Sequence, residues 1–329
     1  MNSGSVPVGI IVPMYNAEHT IGATLKSVSR QTHRTLDIVV VDDGSTDASA
    51  AIVAAYARID QRIRLVQQKN GGVAAARNLG AVSTDADLLA FIDADDLWAP
   101  SKIALQVQAL QEGGSIAGLA YCWFAQIDAE SRVYSLNNRP LDEGWVLQRL
   151  CRNNFVGNGS SMMLRRAAFE AVGGFDPSLR ARNAQGCEDM LICLRVAEQF
   201  EFRVVPQYLV GYRMTNTNMS SDVMQMLRSC EIVLDEFREK HPEFRDDLDA
   251  HLVDMVEWLV VRALVSGRLL SAGDLLRRLA GLEPRMAISR LPGMLDIYFR
   301  ARLVPQWVKA GWRRVSRTEP RPPYAEMAW

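Results

Sequence analysis

From Val8 onward, short apolar runs alternate with stretches of helical periodicity. Residues 8–13 are apolar and close on a proline, and residues 18–30 then carry Ile21, Leu25 and Val28 at helical spacing, which predicts a strand followed by a helix. Residues 36–41 are β-branched and apolar and end in Asp42-Asp43-Gly44-Ser45-Thr46-Asp47. The alanine-rich residues 48–59 complete a second strand and helix, with Thr46 or Asp47 as N-cap. Residues 63–66 predict a third strand, Asn70-Gly71-Gly72 a turn, and residues 73–81 a short helix bearing Arg77 and Asn78. Residues 88–92 are too few for a typical helix and predict a buried fourth strand.

Pro100 opens a helix that runs to about residue 111, where Gly113-Gly114 ends it. Residues 116–127 predict a strand, 141–151 a helix and 159–164 a strand. A turn-rich break at Gly173-Gly174-Phe175-Asp176-Pro177 precedes a helix over 188–199, begun by Glu188 and Asp189. Residues 202–205 and 208–212 predict two short strands parted by Pro206. Beyond this the pattern turns helical, over 224–240, 248–265 and 272–279, which sets a domain boundary near residue 221 and divides the chain into 1–221 and 222–329. Strands that alternate with helices imply an α/β domain with parallel pairing and right-handed crossovers.

The fourth strand runs directly into Asp93, Asp95 and Asp96. Carboxylates this close repel one another, and a hard divalent cation relieves the repulsion while also holding a diphosphate. A polar turn would use the same residues. In a parallel sheet the acidic ends of strands two and four emerge on one edge, although about fifty residues separate them, and that edge is where nucleotides bind. Asp42 or Asp43 can accept hydrogen bonds from a uracil imide or ribose hydroxyls, and the pattern does not choose between them; the same stretch is also a good turn and helix start. Tyr15 can lay its ring on a pyrimidine or simply be a half-buried aromatic at a strand end. Arg77 can reach a base or diphosphate, or be an ordinary surface arginine.

The chain is 48% hydrophobic and 23% charged, with net charge −1, so its bulk charge gives no reason to expect nucleic acid as a partner. Five scattered cysteines without C-x-x-C spacing point to reduced thiols, not a zinc site or disulfide framework. Residues 1–7 carry no secretory signal and no run is long enough to span a membrane, so the expected location is the cytoplasm. Residues 290–323 hold eight Arg or Lys against two acids, mixed with Ile297, Tyr298, Phe299, Leu303, Trp307 and Trp312. That mixture suits a helix lying peripherally on an anionic membrane, or a solvated basic tail packed on the body.

Taken in order, these motifs resemble the family-2 glycosyltransferases. The matching residues are Pro13-Met14-Tyr15-Asn16, Val41 to Asp47, Asn70-Gly71-Gly72 with Ala76-Arg77-Asn78-Leu79-Gly80, Asp93-Ala94-Asp95-Asp96, Gly173-Gly174-Phe175-Asp176 and Glu188-Asp189. The resemblance covers residues 8–215 and implies a GT-A fold: a mixed, mostly parallel central sheet with helices on both faces, plus a C-terminal helical region. It implies an inverting enzyme that uses a nucleotide-diphosphate sugar, with Pro13, Tyr15, Asp42, Asp43, Arg77 and Asp93 on the donor nucleotide and Asp93 on the ribose side. Asp95 is then the ligand of Mg²⁺ or Mn²⁺, and Asp189 the general base, for which an ordinary aspartate basicity means late proton transfer. Asp96, Trp98 and Glu188 fall to the acceptor or its loops. Tyr212-Arg213 with Met219-Ser220-Ser221 resembles the segment that closes over the diphosphate. No Gln-x-x-Arg-Trp follows the base, which argues against a processive polymerase. The expected activity is transfer of one sugar, from a UDP-sugar, to a glycan or lipid-linked acceptor in surface polysaccharide synthesis. The alternatives are a non-catalytic nucleotide-sugar-binding scaffold and a sugar nucleotidyltransferase, although residues 8–20 lack the glycine-rich phosphate loop with Arg and Lys that the latter needs.

Overall fold

The computed structural model describes residues 6–215, 219–302 and 324. In chain order the elements of the first part are β1 (Val8–Met14), α1 (Ile21–Ser29), β2 (Leu36–Asp42), α2 (Ser49–Ile59), β3 (Ile63–Gln67), α3 (Val73–Val82), β4 (Leu88–Phe91), β5 (Leu97–Trp98) and α4 (Lys102–Glu112). They continue with β6 (Ala117–Ile127), β7 (Val133–Leu136), α5 (Leu147–Arg152), β8 (Met162–Arg165), α6 (Arg166–Ala171), α7 (Ser178–Ala181), α8 (Glu188–Ala197) and β9 (Glu201–Arg213). Four helices follow: α9 (Val223–Lys240), α10 (Arg245–Ser266), α11 (Leu269–Leu282) and α12 (Pro284–Arg302).

All strands join one mixed sheet in the order β3-β2-β1-β4-β8-β6-β9-β5, with β7 on β6. The β3-β2-β1-β4 half is parallel, with Met14 opposite Asp42 and Ile11 opposite Phe91. β8 runs antiparallel to β4 and β6, while β6 and β9 form a long parallel ladder. The chain leaves β1 toward β2 and β3, then returns to its other side as β4. That reversal opens a crevice at the carboxyl ends of β1, β2 and β4, where ligands bind in open α/β sheets. It forms because β1 is buried on both faces: Ile10 and Val12 pack with Leu25 and Ile103, whereas Ile11 packs with Phe91 and the helices of the other layer.

The C-terminal helices cover that other layer. Leu227, Val233 and Phe237 of α9, Val256, Leu259 and Val260 of α10, and Leu275 and Leu279 of α11 share one buried cluster with Leu119 and Leu164 of the sheet. Apolar spacing of three and four residues on these helices is what turns a continuous stripe inward. The basic segment 290–323 lies outside the described residues from 303 onward, and with it Leu303, Trp307 and Trp312. Tyr324 is buried against Gly211 and Ile127, and its N–H donates to the Ser131 carbonyl at 2.9 Å.

Several elements differ from the sequence expectation. Glu201–Arg213 form one strand, not two. Pro206 and Gln207 bulge out of the ladder, since Cys122 pairs with Val205 and Trp123 with Tyr208, so the missing proline N–H leaves no gap in the pairing. The helix expected over 141–151 begins only at Leu147: Gly144 has φ +79° and bridges to Phe202, and the apolar Leu141 and Trp145 that suggested periodicity are exposed. Residues 159–161 are a 3-10 turn and the strand begins at Met162. α2 starts at Ser49 after Ala48, although Asp47 still accepts the Ser49 N–H at 2.9 Å.

Candidate active site

The loop after β1 and the acidic loop after β2 are tied together before any ligand is considered. Asn16, at φ 47°, donates its N–H to Ser45 Oγ and accepts from Thr46 N–H, while Ala17 and Glu18 donate to Ser49 Oγ and Asp47 Oδ2. This holds Tyr15 at the crevice with 54% of its surface exposed. The adjacent aspartates then separate. Asp42 accepts from Ser45 N–H and from Gln67 Nε2, behind the crevice wall. Asp43 accepts from the N–H groups of Gly71 and Gly72 at 2.6 and 2.8 Å and from Gln68 Nε2 at 2.7 Å, and it faces the cavity.

The turn that Asp43 organises launches α3, which carries Arg77 and Asn78. Asn78 grips the backbone of Phe175 from both sides, accepting its N–H and donating to its carbonyl. Phe175 in turn sets its ring edge-on to Phe91 and lies 5.0 Å beneath the Arg77 guanidinium. This is the packing reason why the Arg77-Asn78 and Gly173-to-Asp176 motifs occur together. Arg77 is buried, donates to Asp93 Oδ1 at 2.6 Å, and passes so close to Gly159 that a Cβ there would stand 2.8 Å from Nη2. Its Nε finds no partner.

At the end of β4 the three aspartates take different environments. Asp96 is fully buried, accepts from Ser160 Oγ at 2.6 Å and from the Arg213 N–H at 2.8 Å, and is held well above the usual carboxylate range by burial and then by Asp95 and Asp93. Asp93 keeps its tie to Arg77, and its N–H donates to the same Ser160 hydroxyl. Asp95 opens to the cavity, and burial and then the Asp93 charge push it up to about 7 against the opposing pull of Arg213. Trp98 is buried, with Nε1 on the Ser160 carbonyl and Lys102 Nζ 4.0 Å over its ring. Arg213 knots the end of β9 to two loops through the carbonyls of Asp95, Asp128 and Ala129.

This donor set can be judged against a divalent cation. Among the described residues no three His, Cys, Asp or Glu side chains are grouped to hold an ion by themselves, because Asp96 is turned away to Ser160 and Arg213. What remains is Asp93 and Asp95, two hard oxygen donors, the second lifted to about 7 by burial first and by the Asp93 charge after it. One or two carboxylates that leave positions for phosphate oxygens and water are the usual protein share of a Mg²⁺ site, and the residues present fit it.

Glu188 and Asp189 begin α8. Glu188 is buried, accepts the Gly186 N–H, and is raised by burial. Asp189 is partly exposed in the cavity and accepts the Met190 N–H at 2.8 Å. Burial pushes its carboxyl up to about 7, Arg77 opposes the rise, and Glu188 adds to it.

One cavity of about 1160 Å³ gathers Pro13, Tyr15, Asp43, Arg77, Asp93, Asp95, Glu188, Asp189 and Arg213. Asp42, Asp96 and Trp98 lie behind its wall. Sequence reasoning missed Ser160, whose serine-rich neighbourhood looks like any strand start. It also missed the cavity residues on α10, which no local pattern ties to the acids.

With this geometry in place, the comparisons agree on one family. The profile described as Glycosyl transferase family 2 matches residues 9–173, half of the chain. The putative teichuronic acid biosynthesis glycosyltransferase TuaG of Bacillus subtilis is 28% identical over 244 residues, 71% of this chain and 89% of the relative. Of four other curated glycosyltransferases that it matches, the chain spans only 13 to 20% of the length. Among solved structures, S. aureus TarS 1-349 in complex with UDP-GlcNAc aligns with a TM-score of 0.64 at 16% identity, over 93% of this chain and 92% of that one. The mannosyltransferase PcManGT of Pyrobaculum calidifontis, in complex with GDP-Man and Mn²⁺, aligns at 0.55 and 19% identity, over 96% and 89%. At such identities the likeness is one of fold, and the fold is that of these glycosyltransferases. The chain belongs to glycosyl transferase family 2.

Proposed function

We propose that this family-2 glycosyltransferase moves one sugar, with inversion, from a UDP-sugar to a hydroxyl of a glycan or lipid-linked acceptor in surface polysaccharide synthesis. The observation that carries the reading is the division of acids within one cavity: Asp93 and Asp95 at the end of β4, Asp189 at the start of α8. Inversion requires the attacking hydroxyl and the leaving diphosphate on opposite faces of the sugar, so the base and the leaving-group site belong to separate elements.

Tyr15 and Asp43 flank the base and ribose, Asp93 takes the ribose side, and Arg77 sets the charge between the two acidic groups. Asp95 would hold Mg²⁺ or Mn²⁺, which when bound supplies positive charge to the departing diphosphate. Asp189 takes the acceptor proton. At a pKa of about 7 it is roughly half ionised at neutral pH, which places it where a general base works best. Glu188 holds the Gly186 turn that leads into this helix, and Arg213 fixes the Asp95 carbonyl. In this reading residues 1–221 carry the donor chemistry and residues 222–329 form a separate C-terminal region, helical over 223–302.

No helix among the described residues is long and apolar enough to cross a membrane. A peripheral membrane contact through residues 290–329 is part of the proposal, and loss of binding to anionic liposomes on their deletion tests it.

The deciding experiment is calorimetric titration with UDP, GDP and dTDP, each with and without Mn²⁺, followed by donor hydrolysis by Asp189→Asn. Metal-dependent binding of UDP by both proteins, with hydrolysis only in the wild type, is the expected outcome. Hydrolysis that survives Asp189→Asn removes the base from this reading, and absence of binding to all three nucleotides removes the donor site.

A further inference from the structure

The cavity extends past the acids into an arm built by α5 with the loop behind it, and by α10. Its residues are Arg152, Asn153, Asn158, His251, Asp254 and Trp258. α5 packs on both α8 and α10, so this arm adjoins the helix whose first turn holds Asp189.

Three features of the arm point to a ligand. His251 is 5% exposed and turns Nδ1 to the Cys151 carbonyl at 3.1 Å, which makes that nitrogen the N–H donor; burial lowers its pKa, so the ring is neutral and Nε2 is an open acceptor without a partner among the described residues. Asn158 is 3% exposed, accepts from the Ser161 hydroxyl on Oδ1, and leaves its amide nitrogen buried without a hydrogen bond. Trp258 keeps 39% of its surface open on the same cavity. A buried acceptor, a buried donor and an exposed indole suit a ring that offers hydroxyls at its edge and C–H groups on its face. Arg152 and Asp254 pair at 2.6 Å, and Arg262, whose guanidinium lies 5.6 Å over the Trp258 ring, is turned to the Thr215 carbonyl and Ser221 Oγ. A uronate or phosphate would have to draw Arg152 from Asp254, or Arg262 from Thr215 and Ser221, to be bound.

We infer that this arm is the acceptor subsite and that it takes a neutral, polyhydroxylated sugar ring, stacked on Trp258 and hydrogen-bonded by His251 and Asn158. The inference deepens the proposed glycosyltransfer and rests on it: the helical C-terminal region, outside the segment matched by the family profile, then selects the acceptor. Trp258 and His251 are binding residues that present the acceptor hydroxyl to Asp189.

The test uses the full chain, with methyl glycosides of glucose, N-acetylglucosamine and glucuronate as probes. Saturation-transfer NMR is recorded in the presence of UDP and diamagnetic Mg²⁺, and each variant is titrated with UDP and Mg²⁺ in the absence of glycoside. The expected result is saturation of the neutral glycosides over the glucuronide, weakened by about tenfold in Trp258→Ala as one stacking contact is lost. UDP affinity should stay unchanged in that variant. His251→Phe should weaken the same probes, and because Trp258 is half exposed, the first variant judges the site even where the second disturbs packing. Wild-type preference for glucuronate, no saturation by any probe, or full saturation in Trp258→Ala overturns the inference. Loss of UDP binding by the wild type instead strikes the donor reading, while the glycoside comparison still judges the arm.

Discussion

Arg77 donates to Asp93 Oδ1 at 2.6 Å from a side chain that is almost wholly buried, with the Phe175 ring 5.0 Å below its guanidinium. The same cation carries Coulombic influence on Asp189 and Glu188, so one charge stands between the acids of β4 and those of α8. That charge offsets part of the repulsion between two groups of carboxylates in one cavity.

Replacing Arg77 with methionine should therefore act twice. Removing one partner of a buried pair costs about 3–5 kcal/mol, and the lower figure applies here because Asp93 keeps some solvent. Arg77 also holds Asp189 below where burial alone would put it, so its loss should move the acid limb of the pH–rate profile upward. Urea denaturation reads the first effect and the pH profile of the folded variant the second. An unshifted limb would show that the two sites are electrically independent.

Asp189 acts as a base only when ionised. Its carboxyl, pushed up to about 7, is protonated below that value, so kcat/KM should fall by roughly tenfold per pH unit on the acid side and level off above neutrality. Asp189→Asn should lose about 10²- to 10⁴-fold in transfer with UDP affinity retained. A profile flat between about pH 5 and 8 would remove this residue from proton transfer.

The two neighbouring aspartates of β2 separate by their partners. Asp43→Asn must turn an amide N–H toward the Gly71 or Gly72 N–H, and loss of a charged hydrogen bond of about 1.5–3 kcal/mol should loosen the turn and weaken UDP by about tenfold. Asp42→Asn, facing Ser45 and Gln67 behind the wall, should change UDP affinity by less than about twofold. Titration of both variants settles which carboxylate the nucleotide meets.

The sequence pattern carried the parallel half of the sheet well, because strands such as β1 and β2 are buried on both faces and read as continuous apolar runs. It located the acids at strand ends for the same reason. It misread residues 141–146, where apolar side chains are exposed and a positive-φ glycine breaks the helix, since periodicity cannot tell an exposed leucine from a buried one. It did not separate Asp42 from Asp43, because their difference lies in Gln67, Gly71 and Gly72 across a turn. Nor did it bring His251 and Trp258 to the acids, as only the packing of α10 on α5 places them there.

Ser160 offers the last test, since no motif marked it. Its hydroxyl accepts the Asp93 N–H at 3.0 Å and donates to Asp96 Oδ2 at 2.6 Å, while its carbonyl receives Trp98 Nε1. A buried carboxylate held by Ser160 Oγ and the Arg213 N–H cannot lose one of these donors cheaply. Ser160→Ala should cost about 1–3 kcal/mol in stability by leaving the Asp93 N–H and Asp96 short of partners. The loop bearing Asp93 and Asp95 should loosen with it, lowering Mn²⁺-dependent UDP affinity more than UDP affinity measured without metal. Equal losses under the two conditions would confine Ser160 to the support of the fold.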